Sequence, residues 1–128
     1  MKINNIFYPS QYGFRPKHST IQATTEFLHD IYLTFENRLP ALGVFMDLSK
    51  AFDTIDHNIL LDKLNFYGIR GVALDWFKSY LGNRKQFVKY QNISSSVQNI
   101  KCGVPQGSVL GPLLCIIYTN DLPSVIKI

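Results

Sequence analysis

The chain has 128 residues with 46% apolar content, a formal net charge of +4 and a pI near 9.1. This length allows one globular domain with a buried core, and the mild excess of basic residues suits a nucleic-acid partner without requiring one. The N-terminus lacks the apolar segment of a signal peptide, and the apolar run at residues 109–118 is too short to span a membrane, so we expect no membrane association. The two cysteines, Cys102 and Cys115, lack metal-ligand spacing and stand among apolar neighbours, which predicts buried thiols and no disulfide.

The segment before the first predicted helix is a loop that contains glycine and proline. Arg15, Lys17 and His18 form a small basic cluster there, beside the aromatic residues Tyr12 and Phe14. Such a cluster can contact backbone phosphates of a nucleic acid and stack on its bases. A solvated basic turn that precedes a helix is the alternative interpretation.

The first predicted helix begins after Ser19, with Gln22 three residues later in the spacing of a capping box. Residues at intervals of three and four then predict one buried stripe along the helix. The stripe consists of Ile21, Thr24, Leu28, Ile31 and Phe35. Because a proline restricts the residue before it, the helix should end before Pro40.

A short apolar run, Ala41–Met46, has the length of a buried strand and ends directly at Asp47. Asp53 follows six residues later. A strand that ends in an aspartate can present a hard oxygen ligand to a divalent metal at the rim of a sheet. The alternative is a buried strand followed by an aspartate-rich turn that caps the next helix.

Two helices are predicted next in the chain. The first covers about residues 57–67, with Asp56 as its N-cap and Gly68 as its C′ residue. The second covers about residues 72–81, and Trp76 is expected to be a core anchor. The predicted inward face of this second helix consists of Ala73, Trp76, Phe77 and Tyr80.

Two strand-like runs, Gln86–Tyr90 and Val97–Cys102, flank a polar serine-rich turn and predict a β-hairpin. A loop rich in glycine and proline separates this hairpin from the last predicted helix. Ser108 can cap that helix, which should reach about Asn120 and can hold Pro112 only in its opening turn.

Three longer motifs follow one another along the chain. They are Gln11-x-Gly13-Phe14-Arg15-Pro16-x-x-Ser19-Thr20, then Phe45-x-Asp47-x-x-x-Ala51-Phe52-Asp53, then Pro105-Gln106-Gly107-Ser108-x-Leu110-Gly111-Pro112, which continues to Tyr118-x-Asn120-Asp121-Leu122-Pro123. Together they resemble the reverse transcriptase domain (RNA-directed DNA polymerase) of non-LTR, LINE-type retrotransposons. The resemblance extends in order over nearly the whole chain. The third motif distinguishes this family from viral RNA polymerases, which also carry two aspartates at about the spacing of Asp47 and Asp53.

The resemblance implies an α+β fold, a fragment of the polymerase fingers and palm in which helices pack on an antiparallel sheet. Residues 11–40 would form a fingers motif and its helix, and residues 41–128 a palm segment. In the full-length enzyme the activity would be two-metal nucleotidyl transfer, which needs several ligands around two ions. The family's Asp-Asp hairpin and thumb do not occur in these 128 residues. We therefore expect the isolated chain to be inactive, with a non-catalytic relic that at most binds nucleic acid as the alternative.

The resemblance also implies roles for individual residues. Asp47 would be catalytic and, helped by the carbonyl of Leu48, would be one of the ligands of the two Mg²⁺ ions of the complete enzyme. The implied nucleotide-binding residues are Leu48, Phe52, Gln106 and Gly107, and the implied nucleic-acid contacts are Arg15, Lys17 and Pro105. For Asp53, a direct role and a role as the cap or turn anchor of the helix ahead both remain open.

The partners implied by the resemblance are an RNA template, a DNA primer, dNTPs and the rest of a retrotransposon polyprotein. The expected location is intracellular, in the nucleus or the cytoplasm, as a ribonucleoprotein. An in-frame Asp-Asp hairpin encoded downstream would favour a polymerase, whereas a stop codon or a frameshift there would favour the relic.

Overall fold

The computed structural model describes residues 6–125 and divides the chain into two units, Met1–Ser49 and Lys50–Ile128. Within residues 6–125, the first unit contains one helix, and the second contains four helices and four short strands. In chain order the elements are α1 (Thr20–Glu36), α2 (His57–Phe66), α3 (Val72–Leu81), β1 (Lys85–Gln86), β2 (Lys89–Tyr90), β3 (Ile93–Ser94), β4 (Gln98–Asn99), α4 (Leu110–Thr119) and α5 (Leu122–Val125). The mixed α+β class with small antiparallel sheets is confirmed. Within the described range, no helix is long and apolar enough to cross a membrane.

In the first unit, α1 begins as predicted, because Ser19 and Gln22 form both hydrogen bonds of the capping box. The helix ends at Glu36, before Pro40. The predicted buried stripe is wrong, since no residue of this fully described helix is buried. The sequence pattern identified the apolar side, and Ile21 on that side remains 75% exposed. An apolar stripe is buried only where a neighbouring element covers it.

The predicted strand Ala41–Met46 is also wrong, because no described residue pairs with this segment through a strand ladder. A strand is stable only when another strand satisfies its backbone groups, and an apolar run supplies no such partner by itself. The segment instead lines an open cavity together with α1. The Phe45 ring meets the Phe27 ring edge-on at 5.4 Å, while Leu42 is 92% exposed.

The core of the second unit lies among α2, α3 and α4. Its most deeply buried side chains are Ile55, Leu60, Leu64, Leu81 and Leu114. The predicted cap of α2 is confirmed: Asp56 Oδ1 accepts from the backbone N–H groups of Asn58 and Ile59 at 2.8 and 3.1 Å. Gly68 follows α2 with a φ of 91°, as expected for a C′ residue.

Helix α3 has the bounds that the sequence predicted, but its buried side differs. Trp76 is 52% exposed and stacks on Tyr80 with ring centroids 5.2 Å apart, so the prediction of a core anchor is wrong. Ala73 is exposed as well. Leu81 is buried, and Leu74 and Phe77 are half-buried at helical spacing from it. Leu74, Phe77 and Leu81 therefore define the side of α3 that faces inward, so the prediction holds for Phe77, while Trp76 contributes to an aromatic surface.

The predicted β-hairpin is confirmed as two short antiparallel ladders, β1 with β4 and β2 with β3. The turn at residues 91–92 is shorter than the predicted serine-rich turn, because β3 already begins at Ile93. The two ladders differ by one residue in register. As a result, Phe87 on the first arm faces both Ser96 and Val97 on the second, which is the arrangement of a β-bulge.

The last long helix, α4, begins at Leu110, and Pro112 lies in its first turn as predicted. The Ser108 hydroxyl accepts from the Gly111 backbone N–H at 2.9 Å and donates to the Pro105 carbonyl at 2.7 Å. It therefore ties the preceding loop to the start of the helix. Both cysteines are free thiols, but the prediction that both are buried is wrong for Cys102, which is exposed. Partial burial raises the pKa of the Cys115 thiol.

One ion pair joins the end of α4 to α2. Lys63 Nζ contacts Asp121 Oδ1 at 2.5 Å and donates to the Tyr118 carbonyl. The hydrogen bond from Lys63 lowers the pKa of Asp121, so the folded state favours the charged carboxylate. Stability from this pair should be fully present above the unfolded pKa of an aspartate and lost as the pH falls through the lowered folded value.

We expect a small effect, about 0.5 kcal/mol, because Asp121 is largely exposed. The measurement is the free energy of unfolding in urea between pH 6 and pH 3, for the wild type and for Asp121→Asn. The difference between the two should shrink as the pH falls. A difference that stays constant over this range would contradict the role of the ion pair.

Candidate functional site

In the second unit, the loop at residues 103–107 is joined to the turn at residues 50–55 by backbone hydrogen bonds. The Gly103 N–H donates to the Ile55 carbonyl at 2.7 Å, and the Val104 N–H donates to the Phe52 carbonyl at 2.8 Å. An antiparallel bridge between Asp56 and Cys102 continues this contact. The two segments, distant in sequence, therefore form one backbone-supported junction.

Gly103 is the centre of this junction. Its φ is +85°, and a Cβ atom placed on it would lie 2.9 Å from Asp53 Cα and from the carbonyl oxygens of Phe52 and Asp53. Only glycine combines this backbone conformation with such a close approach. The Gly103 carbonyl in turn accepts from His57 Nε2 at 2.8 Å and from Arg84 Nη1 at 3.4 Å.

The junction places two polar side chains together. Gln106 Nε2 donates to Asp53 Oδ1 at 3.0 Å, and both side chains are exposed to solvent. The Asp53 N–H donates to the Lys50 carbonyl at 2.8 Å, and this hydrogen bond closes the turn that carries Asp53. The helix ahead is capped by Asp56, so Asp53 does not serve as its cap. Its carboxylate instead orients the Gln106 amide.

An open cleft of about 610 Å³ lies beside this pair. The base of the hairpin contributes Arg84 and Lys101 to its wall, and the turn and loop contribute Asp53 and Gln106. The cleft therefore offers two cations, a carboxylate and an amide to a ligand that enters from solvent. Such a set suits a polar, anionic ligand that also carries hydrogen-bonding groups.

The other residues that the sequence nominated lie in different surroundings. Gly107 is exposed and has a φ of +75°. The Pro105 carbonyl accepts the hydrogen bond from the Ser108 hydroxyl described above. In the first unit, Arg15 donates to the backbone carbonyls of Tyr8 and Pro9 at 3.2 and 3.3 Å, which fixes the loop before α1. Lys17 in that unit is exposed with a φ of +64°.

Asp47 and Leu48 lie in the first unit, and both are exposed. A carboxylate and a backbone carbonyl are oxygen ligands of the kind that Mg²⁺ prefers. Among the described residues, however, no group of three or more His, Cys, Asp or Glu side chains could hold a metal. Asp47 and Leu48 therefore fit a part of a metal site rather than a complete one.

Three residues of the junction were not nominated from the sequence: Gly103, His57 and Arg84. Gly103 directly precedes the third motif, and His57 directly follows the N-cap of α2. These positions are compatible with many roles. What identifies them is that His57 and Arg84 both hydrogen-bond to the Gly103 carbonyl, and these bonds exist only in the folded chain.

The family described as "Reverse transcriptase (RNA-dependent DNA polymerase)" matches residues 1–127. The chain is 37% identical to the "Probable RNA-directed DNA polymerase from transposon BS" of Drosophila melanogaster, over 96% of this chain and 14% of that protein. It is 32% identical to the corresponding protein from transposon X-element, over 96% of this chain and 13% of that protein. It is 36% identical to the "RNA-directed DNA polymerase from mobile element jockey", over 89% of this chain and 12% of that protein.

The chain thus spans about one seventh, or less, of the length of these curated relatives. The matches cover both the Asp47–Asp53 region and the Pro105–Pro112 region of this sequence. They agree with the family that the three motifs indicated.

Proposed function

Because the chain belongs to the reverse transcriptase family, we propose that it is part of the fingers and palm of a retrotransposon RNA-directed DNA polymerase. The observation that carries the proposal is the Gly103 junction, since it brings Phe52, Asp53 and Gln106 into one local arrangement. These residues come from two of the three motifs. Their joint placement supports a nucleotide-binding role for both segments.

In this proposal, Asp47 and the Leu48 carbonyl provide ligands for divalent metal, with Mg²⁺ as the ion that oxygen ligands favour. Such a metal, when bound, supplies positive charge that activates a 3′-hydroxyl and neutralises the leaving pyrophosphate. Further ligands would come from elsewhere in the polymerase. In the sequence, Asp47 and Leu48 closely precede the turn that carries Phe52.

Phe52 would lie beneath the sugar of the incoming nucleotide. Its backbone carbonyl is fixed by the Val104 N–H, and its side chain is partly exposed. Gln106, held by Asp53, would contact the nucleotide, and Gly107 would allow the nucleic-acid backbone to approach closely. The substrates in this proposal are dNTPs, an RNA template and a DNA primer.

The surrounding assembly would be the rest of a retrotransposon polyprotein, within an intracellular ribonucleoprotein. Pro105 and Lys17 remain proposed nucleic-acid contacts. Arg15 belongs to the same proposal, but its guanidinium already satisfies backbone carbonyls of its own loop. We therefore assign Arg15 mainly to ordering that loop.

The test of this function is the choice of sugar by a longer polymerase chain that contains these residues. Replacing Phe52 with valine should remove a clash with the 2′-hydroxyl of a ribonucleotide while keeping an apolar contact. Discrimination built on such a repulsive element is a difference between two affinities. We expect kcat/KM for rNTPs to rise by one to two orders of magnitude, about 1.4–2.7 kcal/mol, with little change for dNTPs.

The measurement is steady-state kcat/KM for a dNTP and the matching rNTP on one RNA template and DNA primer. Phe66→Val is a matched control, because Phe66 is an exposed phenylalanine at the end of α2. An unchanged ratio of dNTP to rNTP use in Phe52→Val would refute the proposal that Phe52 excludes ribonucleotides. A parallel loss of dNTP use and thermal stability would show that Phe52 is a packing residue.

A further inference from the structure

The hairpin formed by β1 to β4 is an unusually basic and exposed element. Between Asp75 and Asp121 the sequence contains no acidic residue, while the hairpin and its flanks carry four cations. These cations are Arg84, Lys85, Lys89 and Lys101. Every residue from 85 to 99 is exposed. The hairpin therefore presents positive charge to solvent without a compensating carboxylate of its own.

The register places the lysines together. Because an extended arm has a period of two, Lys85, Phe87 and Lys89 belong to one face of the first arm. Residues directly opposite each other in an antiparallel pair share a face, so Asn99 belongs to the face of Lys85. By the same period, Lys101 belongs to that face as well. We call this surface, formed by Lys85, Phe87, Lys89, Asn99 and Lys101, the basic face.

The bulge opposite Phe87 is what aligns the two arms in this way. If the register of the β2–β3 ladder continued without interruption, Lys85 would face Gln98 instead of Asn99. Lys101 would then belong to the opposite face. The extra residue in the second arm therefore gathers the three lysines of the hairpin on one surface.

Phe87 lies between Lys85 and Lys89 on the basic face and is 58% exposed. An exposed aromatic ring between cations is the arrangement used to stack a base while neighbouring charges neutralise phosphates. The basic face also borders the cleft already described, because Asn99 and Lys101 line that cleft together with Gln106. A strand bound along the hairpin would thus lead toward the proposed nucleotide site.

We propose that the basic face binds the sugar-phosphate backbone of a single-stranded nucleic acid, with Phe87 stacked against one base. The inference deepens the proposed function, on which it rests, by assigning a template-strand contact to a surface outside the three sequence motifs. Single-stranded nucleic acid is favoured over a lipid surface because the cations alternate with an aromatic ring along one narrow face. A bilayer would instead require a broad apolar face beneath the charges.

The test measures binding of the 128-residue chain to a fluorescein-labelled, mixed-sequence single-stranded RNA by fluorescence anisotropy, at several salt concentrations. Each phosphate contact to a single strand contributes about −0.7 to the slope of log K against log salt. The double variant Lys85→Ser/Lys89→Ser should therefore make the slope less negative by about 1.4 and weaken binding about 25-fold at 0.1 M salt. Phe87→Ser should weaken binding about tenfold without changing the slope.

The matched control is Arg70→Ser/Lys78→Ser, which removes the same charge from exposed positions outside the hairpin. It should leave the slope within about 0.3 of the wild type, because bulk net charge acts far less than direct phosphate contact. Circular dichroism and urea midpoints of all variants must match the wild type. The charge-conserving variant Lys85→Arg/Lys89→Arg should bind RNA about as well as the wild type, which would attribute the loss in the serine variant to the missing charge.

Equal losses in the hairpin variant and the control, or an unchanged slope in the hairpin variant, would overturn the inference. Binding to vesicles of phosphatidylcholine and phosphatidylserine that depends on the same lysines, without RNA binding, would overturn it in favour of a lipid surface. RNA binding does not require catalysis. Suppose that the longer polymerase chain binds RNA through these lysines but incorporates no nucleotides. That result would refute the proposed function and leave the basic face assigned to RNA binding.

Discussion

Replacing Gly103 with alanine should destabilise the second unit by about 3 kcal/mol. The backbone at this position has a φ of +85°, a conformation that costs a residue with a Cβ about 1–2 kcal/mol. The new methyl group would also meet three backbone atoms of Phe52 and Asp53 at 2.9 Å. Forcing extra volume against atoms that cannot move away adds about 1–3 kcal/mol.

The measurement is the free energy of unfolding in urea, with Gly107→Ala as the matched control. Gly107 has a similar φ of +75°, but among the described residues other than Gly107 and its two chain neighbours, no atom lies within 4 Å of the position of its Cβ. The control should therefore lose only the stability that the left-handed backbone conformation costs a residue with a Cβ, about 1 kcal/mol. If both variants lose the same stability, the close approach at Gly103 contributes nothing and the junction is looser than its hydrogen bonds indicate.

Replacing Asp47 with asparagine should reduce nucleotide incorporation by at least about three orders of magnitude in a polymerase chain that contains these residues. Removing a metal-binding carboxylate forfeits several kcal/mol of transition-state stabilisation, and each 1.36 kcal/mol is a factor of ten in rate. Asp47 is exposed, so the substitution should leave the free energy of unfolding unchanged within about 0.5 kcal/mol. The loss would then be one of chemistry and not of folding.

The assay is Mg²⁺-dependent dNTP incorporation on an RNA template, with single-stranded RNA binding measured in parallel. Asp62→Asn is the control, since Asp62 is an exposed carboxylate on α2, outside the proposed site. RNA binding should persist in Asp47→Asn. Near-wild-type incorporation by this variant would remove Asp47 from the metal site.

Local signals in the sequence were sufficient for the three long helices of the second unit. Asp56 and Gly68 bracket α2 with a cap and a C′ glycine, and the bounds of α3 follow from its own pattern. Such signals act within a few residues, so they can be read without knowing the fold. Burial cannot be read in this way. The stripe on α1 and the run Ala41–Met46 are apolar, but apolar residues are buried only when another element covers them.

In the candidate site, too, some features can be predicted from local sequence and others depend on the fold. The family resemblance pointed to Phe52 and Gln106 as candidates because they stand in recognisable motifs. It did not identify the hydrogen bonds from His57 and Arg84 to the Gly103 carbonyl, which join residues 46 and 19 positions apart. It also could not identify the basic face, because the common face of its lysines depends on a one-residue bulge between two ladders. Both features depend on how segments distant in the sequence align in the folded chain.

The junction between Phe52 and Val104 also has a kinetic consequence. It closes a long segment of chain that contains α2, α3 and the hairpin, and the entropy lost on closing a loop increases with its length. The enclosed elements have local contacts and can form before the loop closes. The transition state for folding should then contain little of the junction, and the stability lost in Gly103→Ala should be expressed mainly as faster unfolding rather than slower folding.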